Sequence, residues 1–281
     1  MEIRYLKQEE KEQSRGLYEE VFVEDEKAFV DAYYSVKACD NRILTAWEEG
    51  KPVSMLHRNP YTFRLRGKPV RADYLVAVAT RFACRRRGLM RRLLIRALQD
   101  MEREKLPFTF LMPADEAIYL PFDFRLMGNV DEEGLAGRDA ESLSEEYDLF
   151  VEKDEDYRRR HISWPEWEAT PMMVRLVHLP GFAAQIGAKE PQSLRIAVED
   201  PILSENSGTF LWQFDGEGSR LVPEKGEPEL RISIADLGSF LCGMIGAGEL
   251  PGLPPAENAG AVLEKLERIR VLDGIYINET V

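Results

Sequence analysis

Between residues 71 and 103 the hydrophobic period of the chain changes from two to about 3.6, and most of its candidate chemistry lies at the change. Residues 71–80, Arg-Ala-Asp-Tyr-Leu-Val-Ala-Val-Ala-Thr, are a β-branched and aromatic run that predicts a long central strand. Leu89, Met90, Leu93, Leu94, Ala97, Leu98 and Met101 then recur at helical spacing, with Arg91, Arg92, Arg96, Asp100, Glu102 and Arg103 on the opposite side. Upstream, residues 2–6 alternate as a strand does, 9–22 and 25–36 read as helices, and strands at 42–47 and 53–57 flank the turn Glu49-Gly50-Lys51-Pro52. Downstream, residues 108–112 predict another strand. After Met127 the chain turns acidic, through Asp131, Glu132, Glu133, Asp139, Glu141, Glu145, Glu146 and Asp148, which predicts a solvated link with a short helix at 147–160. A proline-bounded connector follows, its Trp164 and Trp167 suited to covering a domain interface. From Met172 a second set begins, with strands at 173–178, 194–198, 209–214 and 230–234 and helices at 181–186, 235–245 and 257–269.

With 281 residues and 44% apolar content, the chain can bury two modest cores. The expected division is an N-terminal domain at 1–130, the acidic link with its helix at 131–171, and a smaller domain at 172–281.

The junction of strand and helix suits a pyrophosphate. A helix start carries unpaired N–H groups and roughly half a positive charge, and Gly88 lets an anion approach the main chain with no Cβ in the way. Arg85, Arg86, Arg87 and Arg91 add forked donors that match phosphate oxygens. A nucleic-acid footprint is disfavoured by the net charge of −13, because an anionic background repels a long polyphosphate except at one focused site. Cys39, Cys84 and Cys242 are odd in number and far apart, so neither a disulfide framework nor a metal spacing is present. Cys84, beside the arginines, reads as small apolar filler or as a thiol of lowered pKa. His57, His161 and His178 have no acidic or hydroxyl partner at motif spacing. The first residues lack the apolar core of a signal peptide and no apolar stretch reaches membrane length, so a cytoplasmic protein is expected.

The strand, Arg85-x-x-Gly88-x-Met90, the helix and the strand after it resemble motif A of the GCN5-related N-acetyltransferases. The run 108–124, Phe-Thr-Phe-Leu-Met-Pro-Ala-Asp-Glu-Ala-Ile-Tyr-Leu-Pro-Phe-Asp-Phe, resembles the segment that carries the catalytic tyrosine in the enhanced-intracellular-survival type of that family. Asp200-Pro201 through Asn206-Ser-Gly208-Thr209, residues 230–237 and the terminal Ile277-Asn278-Glu279-Thr280-Val281 are similar to its sterol-carrier-like domain. Three features depart from that pattern, the first being Phe82 where a proline is common. Met90 replaces a small residue of motif A, and only about forty residues stand where the relatives carry a second, degenerate acetyltransferase domain, below the usual domain minimum of about fifty.

The resemblance implies an α+β fold: a mixed, mostly antiparallel sheet flanked by helices, followed by a smaller sterol-carrier-like α+β domain. It also implies acetyl-coenzyme A as donor and direct attack of an amine on the thioester. On that reading Val78, Ala79 and Thr80 hold the pantetheine as a neighbouring strand would, and the amides of Arg86, Arg87, Gly88, Leu89, Met90 and Arg91 hold the pyrophosphate. Tyr119 is the acid for the leaving thiolate. A phenol of pKa about 10 facing a thiol near 8.5 makes that transfer uphill by roughly 2 kcal/mol, so it needs a local field or concerted timing. The general base implied is the terminal carboxylate of Val281, and the segment from Gly274 onward stays apolar and strand-like, as a tied-down end should.

Asp25, Glu26 and the pair Tyr33-Tyr34 suit a cationic amine, and a polyamine, an aminoglycoside or a lysine side chain all meet that description. Neither a metal nor a nucleic acid or membrane partner is expected, and a homo-oligomer is compatible with the sequence. Two other readings stay open: a coenzyme A-binding regulatory module without catalysis, or lipid binding by the second domain, in which Phe210, Trp212, Phe214, Phe240 and Leu241 would enclose a tunnel rather than a filled core.

Overall fold

The computed structural model describes residues 1–127, 140–161, 171–277 and Glu279. In chain order its elements are β1 (Glu2–Tyr5), α1 (Arg15–Val21), α2 (Lys27–Val36), β2 (Arg42–Glu48), β3 (Lys51–Leu65), β4 (Lys68–Thr80), α3 (Leu89–Arg103), β5 (Phe108–Leu111), α4 (Glu116–Tyr119), β6 (Arg125–Leu126), α5 (Ala140–Ser144), β7 (Leu149–Val151), α6 (Glu155–Arg160) and β8 (Met173–Leu176). They continue with α7 (Leu179–Ala183), β9 (Gln192–Glu199), β10 (Gly208–Phe214), β11 (Ser219–Pro223), β12 (Leu230–Ser233), α8 (Ile234–Leu241), α9 (Ala256–Glu267) and β13 (Ile275–Tyr276).

The larger sheet runs β1-β2-β3-β4-β5-β8-β6, with β7 on the far half of β3 and β13 alongside β7. Its ladders are antiparallel except β4 with β5 and β7 with β13. α3 packs on β2, β3 and β4, burying the expected face: Leu89, Leu93, Leu94, Ala97, Leu98 and Met101 are all 3% exposed or less. Each such leucine contributes about 1.5–3 kcal/mol of transfer free energy. Residues 8–14 form a 3-10 turn rather than the start of a long helix. Gln-Glu-Glu-Lys-Glu-Gln offers the core nothing to hold, and α1 starts only where Leu17 and Tyr18 turn inward.

Two expectations about the boundary between the domains change. Leu149-Phe150-Val151, expected within a short helix at 147–160, is a buried strand, because three apolar residues complete the edge of β3 that β2 leaves uncovered beyond Arg58, and the helix is confined to α6. Met173–Leu176, expected to open the second domain, pairs instead with β5 and β6 of the first sheet. The acidic residues 131–133 and 139, and Trp164 and Trp167, lie outside the described residues.

The second sheet runs β11-β10-β9-β12, covered by α8 and α9. Phe210, Trp212, Phe214, Phe240 and Leu241 are buried together in its core, with the Trp212 and Phe214 rings 4.5 Å apart. A buried ionic joint fastens this domain to the first. Arg175 of β8 donates through Nη2 to Asp200 at 2.8 Å and through Nε to the Phe122 carbonyl at 2.8 Å. Asp200 also accepts from Asn206 Nδ2 at 2.9 Å, and Asn206 donates to the Val177 carbonyl and accepts from the Leu179 amide. The Asp200…Asn206 spacing seen in the sequence therefore satisfies a buried guanidinium at the interface, where an unpaired charge would be costly.

Candidate active site

β4 and β5 pair only at Asp73 with Thr109 and Tyr74 with Phe110, after which the strands part, although β4 continues to Thr80. Where they part, β4 is bulged: Ala77 and Val78 together oppose the single residue Leu56, and Ala77 takes a φ of +49°. That backbone is strained for alanine, and a bulge re-aims the chain around it. The gap opens onto a cavity of about 300 Å³ lined by Leu75, Val76, Ala77 and Val78 of β4, Met112, Pro113 and Ala114 beyond β5, and Tyr18, Phe22, Asp25, Tyr33, Tyr74 and Tyr119.

Beyond Thr80 the chain turns through Phe82–Cys84 into the start of α3. Gly88 caps that helix at φ +72°, and a Cβ built there meets nothing within 4 Å. The space is open to an anion, and a side chain is disfavoured by the backbone alone. The first helical bond runs from Arg92 N to Gly88 O, so the amides of Gly88, Leu89, Met90 and Arg91 have no partner inside the helix. Arg86 is exposed at φ +60°. Arg87 pairs with Glu48 through two bonds of 2.5 and 2.9 Å, Arg85 lies 4.1 Å over the Phe82 ring, and Arg91 lies 5.4 Å from the Phe122 ring. Cys84 is half-buried against the core.

The residues singled out in the sequence are not gathered equally. Tyr119, Val78, Asp25 and Tyr33 share the cavity wall. Ala79 is buried and its carbonyl accepts from Ser54 Oγ at 2.9 Å, while Thr80 Oγ1 lies 2.8 Å from the same hydroxyl. Glu26 caps α2 with its side chain exposed and does not line the cavity, and Tyr34 turns away to Ser14. Val281 lies outside the described residues.

Burial alone pushes the Tyr119 phenol up to about 12, so it stays protonated across the physiological range. Tyr18, stacked 5.2 Å from Tyr33, donates to Asp25 Oδ2 at 2.7 Å. Asn41 donates to the Tyr33 hydroxyl at 3.1 Å, and that hydroxyl shares a hydrogen bond with His57 Nδ1 at 2.8 Å. Burial lowers His57 to about 3, so the ring is neutral and able to accept. No sequence motif points to a role for His57, Tyr18, Phe22 or Tyr74. Tyrosines facing a cavity follow the same periodicity as tyrosines facing a core.

A second unforeseen cluster lies behind Tyr74. The Glu279 side chain accepts from Tyr157 at 3.0 and 3.3 Å and from Tyr61, and its carbonyl accepts from the Tyr74 hydroxyl at 3.3 Å. Lys37 Nζ donates to the Tyr61 hydroxyl at 3.3 Å. Burial pushes Glu279 up to about 7, against the pull of Lys153, Tyr157, Lys37 and Tyr61, and burial lowers Lys37 to about 8.

Comparison with known proteins identifies both domains. A family model described as an acetyltransferase (GNAT) domain matches residues 2–127, and one described as a sterol carrier protein domain matches residues 179–273. Residues 2–127 are thus a GNAT acetyltransferase domain. Solved structures similar to this acetyltransferase over both domains include a probable N-acyltransferase from Enterococcus faecalis, 13% identical with a TM-score of 0.71, covering 98% of this chain and 99% of the other. Eis1 from Mycobacterium abscessus is 14% identical with a TM-score of 0.67, and both chains are covered completely. A GCN5-related N-acetyltransferase from Anabaena variabilis is 16% identical with a TM-score of 0.68, covering 99% of this chain and 98% of the other. At these identities the likeness is one of fold. The comparison with curated proteins finds no match. No helix among the described residues of this acetyltransferase is long and apolar enough to cross a membrane, and no group of three His, Cys, Asp or Glu among them is placed to hold a metal.

Proposed function

We propose that this acetyltransferase moves an acetyl group from acetyl-coenzyme A to an amine that enters the cavity from the side of α1 and α2. The carrying observation is the parting of β4 and β5 beside a helix start that no side chain caps, opening onto a cavity that holds a buried tyrosine. Acetyl-coenzyme A supplies the electrophilic thioester carbon and a thiolate leaving group. The free amides of residues 88–91 fit the pyrophosphate, with Arg86 and Arg91 as charged neighbours. The β4 segment from Leu75 to Val78 fits the extended pantetheine, since no described strand pairs with it on the β5 side. Tyr119 gives its phenolic proton to the departing sulfur. Its elevated pKa makes this step concerted with C–S cleavage rather than a prior ionisation.

The base in this reading is the terminal carboxylate of Val281. Support comes from β13, which enters the first sheet alongside β7, and from Glu279, two residues earlier, whose carbonyl is held by the cavity residue Tyr74. One alanine added after Val281 is expected to lower kcat on the order of tenfold or more while acetyl-coenzyme A still binds. Unchanged turnover would remove this carboxylate from the mechanism. For the acetyl-transfer reading itself, thiol release from acetyl-coenzyme A in the presence of amines is the direct test, and calorimetry that detects no affinity for the donor would overturn it.

A further inference from the structure

The cavity wall narrows the kind of amine. Among its described residues Asp25 is the one carboxylate, and the rest of the acceptor side is aromatic: Tyr18, Phe22, Tyr33 and Tyr74. Three of these four hydroxyl or ring positions are already committed. Tyr18 donates to Asp25, Tyr33 is held between Asn41 and His57, and Tyr74 is spent on the Glu279 carbonyl. The wall thus offers a guest one negative charge, aromatic faces and few free polar groups. A polyamine or an aminoglycoside brings several ammonium groups, and each one stripped of water without its own partner opposes binding. A single ammonium between Asp25 and aromatic faces is matched both by the ion pair and by the ring quadrupoles.

The rest of the wall is apolar as well: Leu75, Val76, Val78, Met112 and Pro113 suit the body of a hydrophobic guest, and their side chains offer no partner to the backbone amides that a lysine-bearing peptide would bring.

We infer that the acceptor is a small primary amine with one positive charge and an apolar, ring-sized body, such as an arylalkylamine, with Asp25 pairing the ammonium and Tyr18 holding Asp25 in place. This inference rests on the acetyl-transfer reading for its turnover assay but not for its binding assay. The test is to compare kcat/KM for phenylethylamine, hexylamine, spermidine, an aminoglycoside and a lysine peptide by thiol release, and to measure phenylethylamine binding by calorimetry. The monoamines are expected to exceed the polycations by roughly tenfold or more, and Asp25→Asn to weaken phenylethylamine binding by a similar factor. Tyr18→Phe, which keeps the ring and frees Asp25, should raise KM for the amine with little change in kcat, and it serves where Asp25→Asn fails to fold. Preference for spermidine, the aminoglycoside or the peptide would overturn the inference and leave acetyl transfer standing. Phenylethylamine binding that depends on Asp25, without thiol release from any amine, would support the inference and sink the transfer reading. Binding that ignores both substitutions would overturn the inference.

Discussion

Tyr119→Phe is expected to lower kcat by about 10²- to 10⁴-fold, the usual contribution of a positioned proton donor, with acetyl-coenzyme A affinity unchanged. The substitution removes one oxygen from a side chain that is 7% exposed and packed 6.0 Å from the Phe124 ring, so the fold should tolerate it. Because burial holds the phenol at about 12, the wild-type rate should show no alkaline fall from this group below pH 10. Stopped-flow or steady-state thiol release across pH 6 to 10 measures both. A Phe variant within threefold of wild type would show that the thiolate takes its proton elsewhere.

The second large effect concerns Glu279 and stability rather than rate. Its pKa rises from an ordinary 4.5 to about 7 in the folded protein, so the folded state holds the proton more tightly than the unfolded chain does. The sign follows from linkage: this contribution is fully present below pH 4.5 and is lost as pH rises through about 7. At 1.36 kcal/mol per unit of pKa, the loss is about 3 kcal/mol. Glu279→Gln, a mimic of the protonated form, should remove it. Urea denaturation at pH 4.5 and pH 8 is the measurement, and the gap between variant and wild type should shift by about 3 kcal/mol in favour of glutamine at the higher pH. An equal gap at both pH values would mean that Glu279 does not change protonation on folding.

Much of the catalytic frame was legible in the sequence because it is local. The strand at 71–80 and the helix that follows announce themselves by a change of period, and Gly88 sits where only a residue without Cβ meets a left-handed cap without cost. Tyr119 was legible through resemblance alone, since a lone tyrosine before Leu-Pro-Phe carries no physical signature. Of the cavity wall, Asp25 and Tyr33 were named as candidates for a cationic amine, but Tyr18, Phe22 and Tyr74 were not. Tyr18 and Tyr74 come from α1 and β4, and nothing in a one-dimensional pattern separates a tyrosine lining space from one filling it. The pairing of β7 and β8 with the first sheet was not legible for a related reason. Sheet membership of three- and four-residue strands such as β7 and β8 is fixed by partners more than forty residues away, while the local sequence fixes only that they are mostly apolar. The Glu279 cluster was invisible because it joins residues 37, 61, 74 and 157 to the far end of the chain.

The pairing of β8 with β5 and of β13 with β7 means that the sterol-carrier-like domain leaves and re-enters the catalytic sheet through strands of its own flanks. It is not a detachable cassette. A protein shortened before residue 173 would lose both the neighbour of β5 and the parallel partner of β7, exposing the buried Phe-Thr-Phe-Leu of Phe108–Leu111 as a raw edge ready to recruit another chain. Engineering that seeks a minimal catalyst from this architecture must therefore keep these two strips of the partner domain, or supply a substitute for the first.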